Sequence, residues 1–252
     1  MTSQHCKNCL SRYQGQFCPH CGQSSKVRDL DWPFLWNDFR FLLFSYDSSI
    51  FLSLRNLLIR PGPFIQDFLA GKRVKAFFPF RLLLTLAGLY TALAVTTKVN
   101  LVSLSDSAYP TQSAHQVHVV LNWVVSHYAL AEICLVPILA VCTFLTFRKA
   151  KLNLAAHTAA AADFVCQMLT IKTVFLIIAL ALNHRTYFLI ATLPMLTSAA
   201  LIAFTLYQLF PKLPPWERIF RIALNYAMFL SVLSLVLFCI LTYLNEISPK
   251  QS

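Results

Sequence analysis

Five long apolar runs, set apart by short charged segments, dominate the chain at about 82–97, 118–147, 155–182, 187–210 and 222–244. A helix needs about 20 apolar residues to cross the hydrocarbon core of a bilayer, so each run predicts a membrane-spanning helix. The first run is short and draws on Phe77, Phe78 and Phe80 just ahead of it. The second is long, and must tilt or begin as an interfacial turn. The fold class this predicts is an all-α polytopic membrane protein of about five transmembrane helices, occupying 82–246, with a short tail at 247–252.

The segment 27–81 has a different pattern. Asp31-Trp32-Pro33 reads as a helix start, with Asp31 as N-cap and Pro33 in the first turn. The aromatic-rich stretch 31–46 is interrupted by Asp38 and Arg40. It is too short and polar for a full span. It suits an amphipathic helix in the headgroup region, and whether it lies on the membrane or enters it stays open. Ser48 or Ser49 can cap a second helix over 50–59, which ends before Pro61. A third, over 63–70, is closed by Gly71 as a C′ glycine. The basic juxtamembrane segment Lys72-Arg73-Val74-Lys75 follows.

Composition agrees with the pattern. Hydrophobic residues make up 57% of the chain and charged residues 12%, about half the charge of a soluble domain. Mean hydropathy is +0.60. The net charge of +11 could suggest nucleic acid, but the basic residues sit beside apolar spans, where topology and anionic membrane lipid account for them. No nucleic-acid partner is expected. The segments between spans carry eleven, one, three, one, three and one Lys/Arg in chain order, with Lys172 alone inside a span. This alternation places the N-terminus in the cytoplasm and the C-terminus outside. The polar start has no apolar run before a small-residue cleavage site, so no signal peptide is expected.

The N-terminus carries the sharpest chemical signal. Cys6-Lys7-Asn8-Cys9 and Cys18-Pro19-His20-Cys21-Gly22 are two C-x-x-C pairs eight residues apart. That spacing suits one structural zinc held by Cys6, Cys9, Cys18 and Cys21 in a ribbon over 1–26. The competing readings are unrelated thiols or two disulfides. Gly22 supplies the positive φ that a knuckle often needs after its second cysteine. Four sulfurs fill the coordination sphere, so the site is structural and names no reaction. Thiolate zinc favours a reducing compartment, in agreement with the charge-based topology. Cys134, Cys142, Cys166 and Cys239 lie in apolar stretches and read as small packing residues.

Taken together, these residues resemble a bacterial family of zinc-ribbon integral membrane proteins, classed as a domain of unknown function and known mainly from Bacteroidetes. The resemblance rests on the two cysteine pairs with Gly22-Gln23, on Leu57-Leu58-x-Arg60-Pro61-Gly62, on Gly71-Lys72-Arg73-Val74-Lys75 and on Pro79-Phe80. Lys151-Leu152-Asn153-Leu154-Ala155-Ala156-His157 is similar to the family's Asn–aromatic–Ala–Glu–His stretch. Leu154 stands where the family has an aromatic, and Ala156 where it has glutamate. The second departure weakens a Glu–His acid–base pair here. The resemblance implies a bacterial inner-membrane location and carries no activity.

Ionisable groups inside spans are costly and count as functional candidates. They are Glu132, Asp163 and Lys172. Measured from the loop joining the second and third spans, Glu132 and Lys172 differ in depth by only ~3 Å, so antiparallel neighbours can pair them. Such a pair is either structural glue or a proton or substrate site. His157, two residues into its span, is a candidate polar site that can cap or pack against the 148–151 loop. It faces a different side of the helix from Asp163. Arg60, Lys72, Arg73 and Lys75 read either as a positive-inside anchor or as headgroup contacts. His115 and His118 share a face if helical but lack a third metal ligand. No G-x-S-x-G, Walker or H-E-x-x-H pattern occurs, and no catalytic residue is assigned.

Three functions compete. The first is a non-enzymatic scaffold or regulator, whose ribbon docks a cytoplasmic protein through exposed Lys7, Asn8, Arg12 and Gln23. The second is a small transporter or lipid-handling protein built on Glu132, Asp163 and Lys172. The third is a membrane enzyme acting on a lipid-linked substrate through Arg60, Lys72, Arg73, His157 and Asp163. The oligomeric state is not legible.

Overall fold

The computed structural model describes residues 4–25, 27, 30–33, 35, 49–74, 76–96, 127–182 and 188–247. His115, His118, Lys75 and most of 31–46 lie outside these. Two short antiparallel strands, β1 (Gln4–His5) and β2 (Arg12–Tyr13), open the chain. The helices whose bounds the described residues give are α1 (Ser49–Ile59), α2 (Pro61–Leu69), α3 (Pro79–Thr96), α4 (Tyr128–Thr146), α5 (Leu154–Ala181), α6 (Leu193–Leu209) and α7 (Pro215–Ile247). Five segments, α3, α4, α5, Leu189–Leu209 and the first 26 residues of α7, are long and apolar enough to cross a membrane. These are the five expected runs, and the chain is a multi-pass membrane protein by that criterion. Several boundaries move, among them the start of the second spanning helix, which lies at Tyr128 rather than 118. The first span starts at Pro79, and the last helix starts seven residues earlier than its apolar run. α2 starts at Pro61 rather than 63, because Pro at the first helical position sacrifices no hydrogen bond.

α5 is the central helix and touches α1, α2, α3, α4 and α6. Its first half is alanine-rich, and Ala159, Ala160, Ala161 and Ala162 are all buried. Small residues let neighbouring helices approach closely, which is how helices associate where no hydrophobic drive separates them from lipid. α7 is the peripheral helix, packed on α4 and α6. It turns Leu235 and Phe238 outward.

The α1–α2 hairpin is fastened to this bundle by polar contacts. Gln167 of α5 is fully buried and donates from Nε2 to the Leu57 carbonyl at 2.8 Å and to Thr205 Oγ1 at 3.0 Å. Ser53 Oγ accepts the Phe77 N–H at 2.8 Å. α2 meets the end of α6 at Gly62. Its N–H donates to Gln208 Oε1 at 3.1 Å, and Gln66 Nε2 donates to the Gln208 and Leu209 carbonyls, both at 2.9 Å. Gln66 thus satisfies carbonyls that the end of α6 leaves open. A Cβ at Gly62 would lie 2.8 Å from the Gln208 carbonyl carbon and 2.9 Å from the Leu209 nitrogen. The Pro61-Gly62 pair therefore sets the contact of α2 with α6. Gly62→Ala is expected to lower stability by about 1–3 kcal/mol, the usual cost of overpacking. Thermal unfolding in detergent measures it, and Gln208→Ala should not rescue it, because backbone atoms make part of the clash.

Gly71 closes α2 as expected. Its φ is +90°, with the Gly71 N–H on the Phe68 carbonyl (3.1 Å) and the Lys72 N–H on that of Asp67 (2.9 Å). That is the paired hydrogen-bond pattern of a Schellman end.

Candidate metal centre and intramembrane charges

The two cysteine pairs build matching knuckles. The Leu10 N–H bonds the Cys6 carbonyl at 2.9 Å, and the Gly22 N–H bonds that of Cys18 at 2.8 Å. Both residues sit in the left-handed region, Leu10 at φ +61° and Gly22 at +75°. The four sulfurs converge, all lying within 4.8 Å of one another. Cys6–Cys21 and Cys9–Cys18 are each 3.5 Å apart. A tetrahedron of metal–sulfur bonds about 2.3 Å long has edges of about 3.8 Å, so the set fits a four-thiolate metal ion. None of the four forms a disulfide. The Asn8 N–H points at Cys6 Sγ (3.4 Å).

Ser11 was not legible as a site residue. Its hydroxyl lies 3.0 Å from Cys9 Sγ and 3.3 Å from Cys18 Sγ. That hydroxyl, with the backbone N–H groups of His20 and Cys21, brings the Cys18 thiol down to about 6 against the opposing effect of burial. Cys9 is lowered as well, chiefly by Ser11. The Gln23 N–H pulls on Cys21, yet burial and the adjacent Cys6 and Cys9 sulfurs leave that thiol raised to about 11. A metal ion bound there would hold all four as thiolates.

Leu10 is 73% exposed and strained by its positive φ. Leu10→Gly is expected to tighten the ribbon by about 0.5–1 kcal/mol, relief of left-handed strain outweighing glycine's added entropy. Slower loss of metal to a chelator is the readout.

The ribbon is held against the membrane domain. Gln23 Nε2 donates to the Gly71 carbonyl (3.0 Å), and the Arg73 N–H reaches Gln23 Oε1 (3.4 Å). Gln23 is therefore buried, a correction to its expected exposure on a docking face. A side chain at Gly71 would press on Lys7 and Val27, each 3.2 Å away. Leu30 and Leu35 then pack with Phe68, Ala155, Ala156 and Ala159. Asn153 accepts the Ala156 N–H (2.8 Å) as N-cap of α5 and donates to the Leu30 carbonyl (2.8 Å). Ala156 thus lies in a packed apolar seam.

His157 departs from expectation. It is 2% exposed, with Nδ1 3.1 Å from Thr143 Oγ1 and its ring between Phe144 and Phe210. It packs inside the bundle and not against the 148–151 loop, because the first turn of α5 is already capped by Asn153.

Lys172 Nζ lies 2.6 Å from Glu132 Oε1, so the depth-matched residues do meet. Lys172 also sits over the Tyr128 ring, which lies against the Tyr90 ring at a 31° tilt. The pair joins α4 to α5. Asp163 is elsewhere on α5, about 13 Å from Lys172 along the axis. It is 1% exposed, and neither carboxylate oxygen has a hydrogen-bond partner among the described residues. Of the basic candidates, Arg60 is exposed beside the N-terminus of α2. Lys72 pairs with Asp67 at 2.7 Å, and Arg73 lies over the Phe68 ring. Cys142 and Cys166 are buried packing residues as expected, whereas Cys134 and Cys239 are exposed.

A further charged joint escaped the sequence reading. Glu217 receives Lys149 Nζ and Arg221 Nη2, each at 2.7 Å. Arg221 Nη1 donates to the Thr146 carbonyl, and Asn225 to the Thr146 hydroxyl. The i, i+4, i+8 spacing of Glu217, Arg221 and Asn225 on α7 was the available signal.

Residues 47–91 match a family model described as a protein of unknown function (DUF3667). The match spans α1, α2, the Gly71 turn and most of α3. The cysteine pairs and Asn153–His157 lie beyond it. No curated protein matches the chain, and no solved structure does.

Proposed function

We propose that the chain is a scaffold or regulator of the bacterial inner membrane, with a cytoplasmic zinc ribbon that docks a soluble protein partner. The N-terminus is cytoplasmic and the C-terminus periplasmic, following the alternation of basic loops. The observation that carries this reading is the ribbon itself. Its four sulfurs leave no open coordination position, and Gln23 fastens it to the turn leading into α3. A fastened, non-catalytic ribbon transmits a docking event to the membrane domain. The ribbon exposes Leu10, Phe17 and Arg12. Anionic lipid contacts at Arg60, Lys72, Arg73 and Lys75 complete the picture.

Purification of the full chain from its own membranes tests this. A soluble protein should co-purify at constant ratio with the wild type and be lost from Cys18→Ser/Cys21→Ser, while membrane insertion persists. Identical partner sets for both forms remove the scaffold reading. A transporter or lipid-handling role is the second reading, favoured by Asp163, whose carboxyl is buried without a partner. Substrate flux that depends on Asp163 and ignores the ribbon cysteines would select it.

A further inference from the structure

At the lysine-bearing end of the bundle lies a cavity of about 610 Å³, walled by α2, the α4–α5 turn and the α6–α7 turn. Its size is that of a small-molecule site. Lys149, Lys151 and Lys212 all line it. Lys149 pairs with Glu217 at 2.7 Å. The ammonium groups of Lys151 and Lys212 have no anionic partner among the described residues. Lys151 is held in the left-handed region at φ +54°, just before the Asn153 cap. Lys212 sits in the turn after α6, above the buried pair Leu209 and Phe210. The site thus combines two uncompensated cations with an apolar floor.

We propose that this cavity binds the phosphate headgroup of an anionic membrane lipid, with Lys151 and Lys212 on the phosphate and the first acyl carbons against Leu209 and Phe210. A phosphomonoester carries a charge of about −1.5 to −2 near neutral pH, which matches two free ammonium groups better than a single carboxylate does. Lysine serves phosphate as a point charge without demanding a fixed fork. The apolar wall selects a lipid over free phosphate, because an inorganic ion gains nothing from Leu209 and Phe210. This site is separate from the ribbon, and its occupancy does not depend on a protein partner.

The purified full chain in detergent, titrated with short-chain phosphatidic acid, phosphatidylcholine of the same chain length and inorganic phosphate, tests the proposal. Phosphatidic acid should bind at least tenfold more tightly than phosphatidylcholine. Lys151→Gln/Lys212→Gln should weaken it roughly tenfold or more, given the usual contribution of each surface cation. Arg55→Gln, exposed on α1 and outside the cavity, should leave binding unchanged. The preference should fall as salt is raised. Equal affinity for the two lipids, or full binding by the double variant, overturns the proposal. Inorganic phosphate competing at the same concentration as phosphatidic acid overturns the lipid assignment.

Discussion

Replacing Cys18 and Cys21 by serine is expected to take the purified full chain from about one metal ion per molecule to none and to unfold the ribbon. The expectation follows from how little else holds residues 4–25 together. Their buried core is Cys6, Tyr13 and Cys18, and their sheet is two strands of two residues each. Structural zinc sites supply about 10–16 kcal/mol in small peptides, far more than such a core provides. Lowering pH should have the same effect, since protons compete with the metal for thiolates. Membrane insertion should persist, because it follows from the hydropathy of the spans. Metal analysis beside a membrane-extraction assay checks both halves. Metal retained by the double variant would contradict the four-thiolate site.

The second large effect belongs to Glu132 and Lys172. Breaking a buried ion pair from one side strands the other charge, typically at about 3–5 kcal/mol. Glu132→Gln and Lys172→Met should each lower the unfolding free energy by about that much. The double variant should lose clearly less than either alone, because no charge is left unpaired. Side-chain exposures of 5% for Glu132 and 18% for Lys172 support treating the pair as buried. Unfolding in mixed micelles provides the comparison. Losses that simply add would mean the two charges act independently despite their 2.6 Å contact.

These cases mark what could be read from the sequence. Apolar runs are local signals, so the candidate spans were legible, with errors where polar helix ends such as Pro215–Arg221 extend past the hydropathy. Glu132 and Lys172 could be matched because a short loop between antiparallel helices converts sequence distance into depth. The cysteine pairs carry their own spacing rule. What stayed hidden is contact between polar side chains and distant backbone: Gln23 with Gly71, Gln66 with the end of α6, Gln167 with Leu57. A glutamine has no period and no spacing that names its partner. His157 was misplaced for a similar reason, since its surroundings include Phe210, which follows the far end of the next span.

The Gln23 joint also changes how the motifs relate. Cys21-Gly22-Gln23 and Gly71-Lys72-Arg73, 48 residues apart at Gln23 and Gly71, form one structural unit. The matched segment 47–91 contributes only one side of it. The central claim is that a metal-held ribbon is fastened to the membrane domain at this turn. Hydrogen exchange at the Arg73 amide, which faces Gln23 Oε1, tests it most directly in the full chain in lipid nanodiscs. Exchange should be slow with metal and accelerate strongly after chelation or in Gln23→Ala, while α5 amides stay unchanged. An Arg73 amide that exchanges at the same rate in all three conditions would contradict the account.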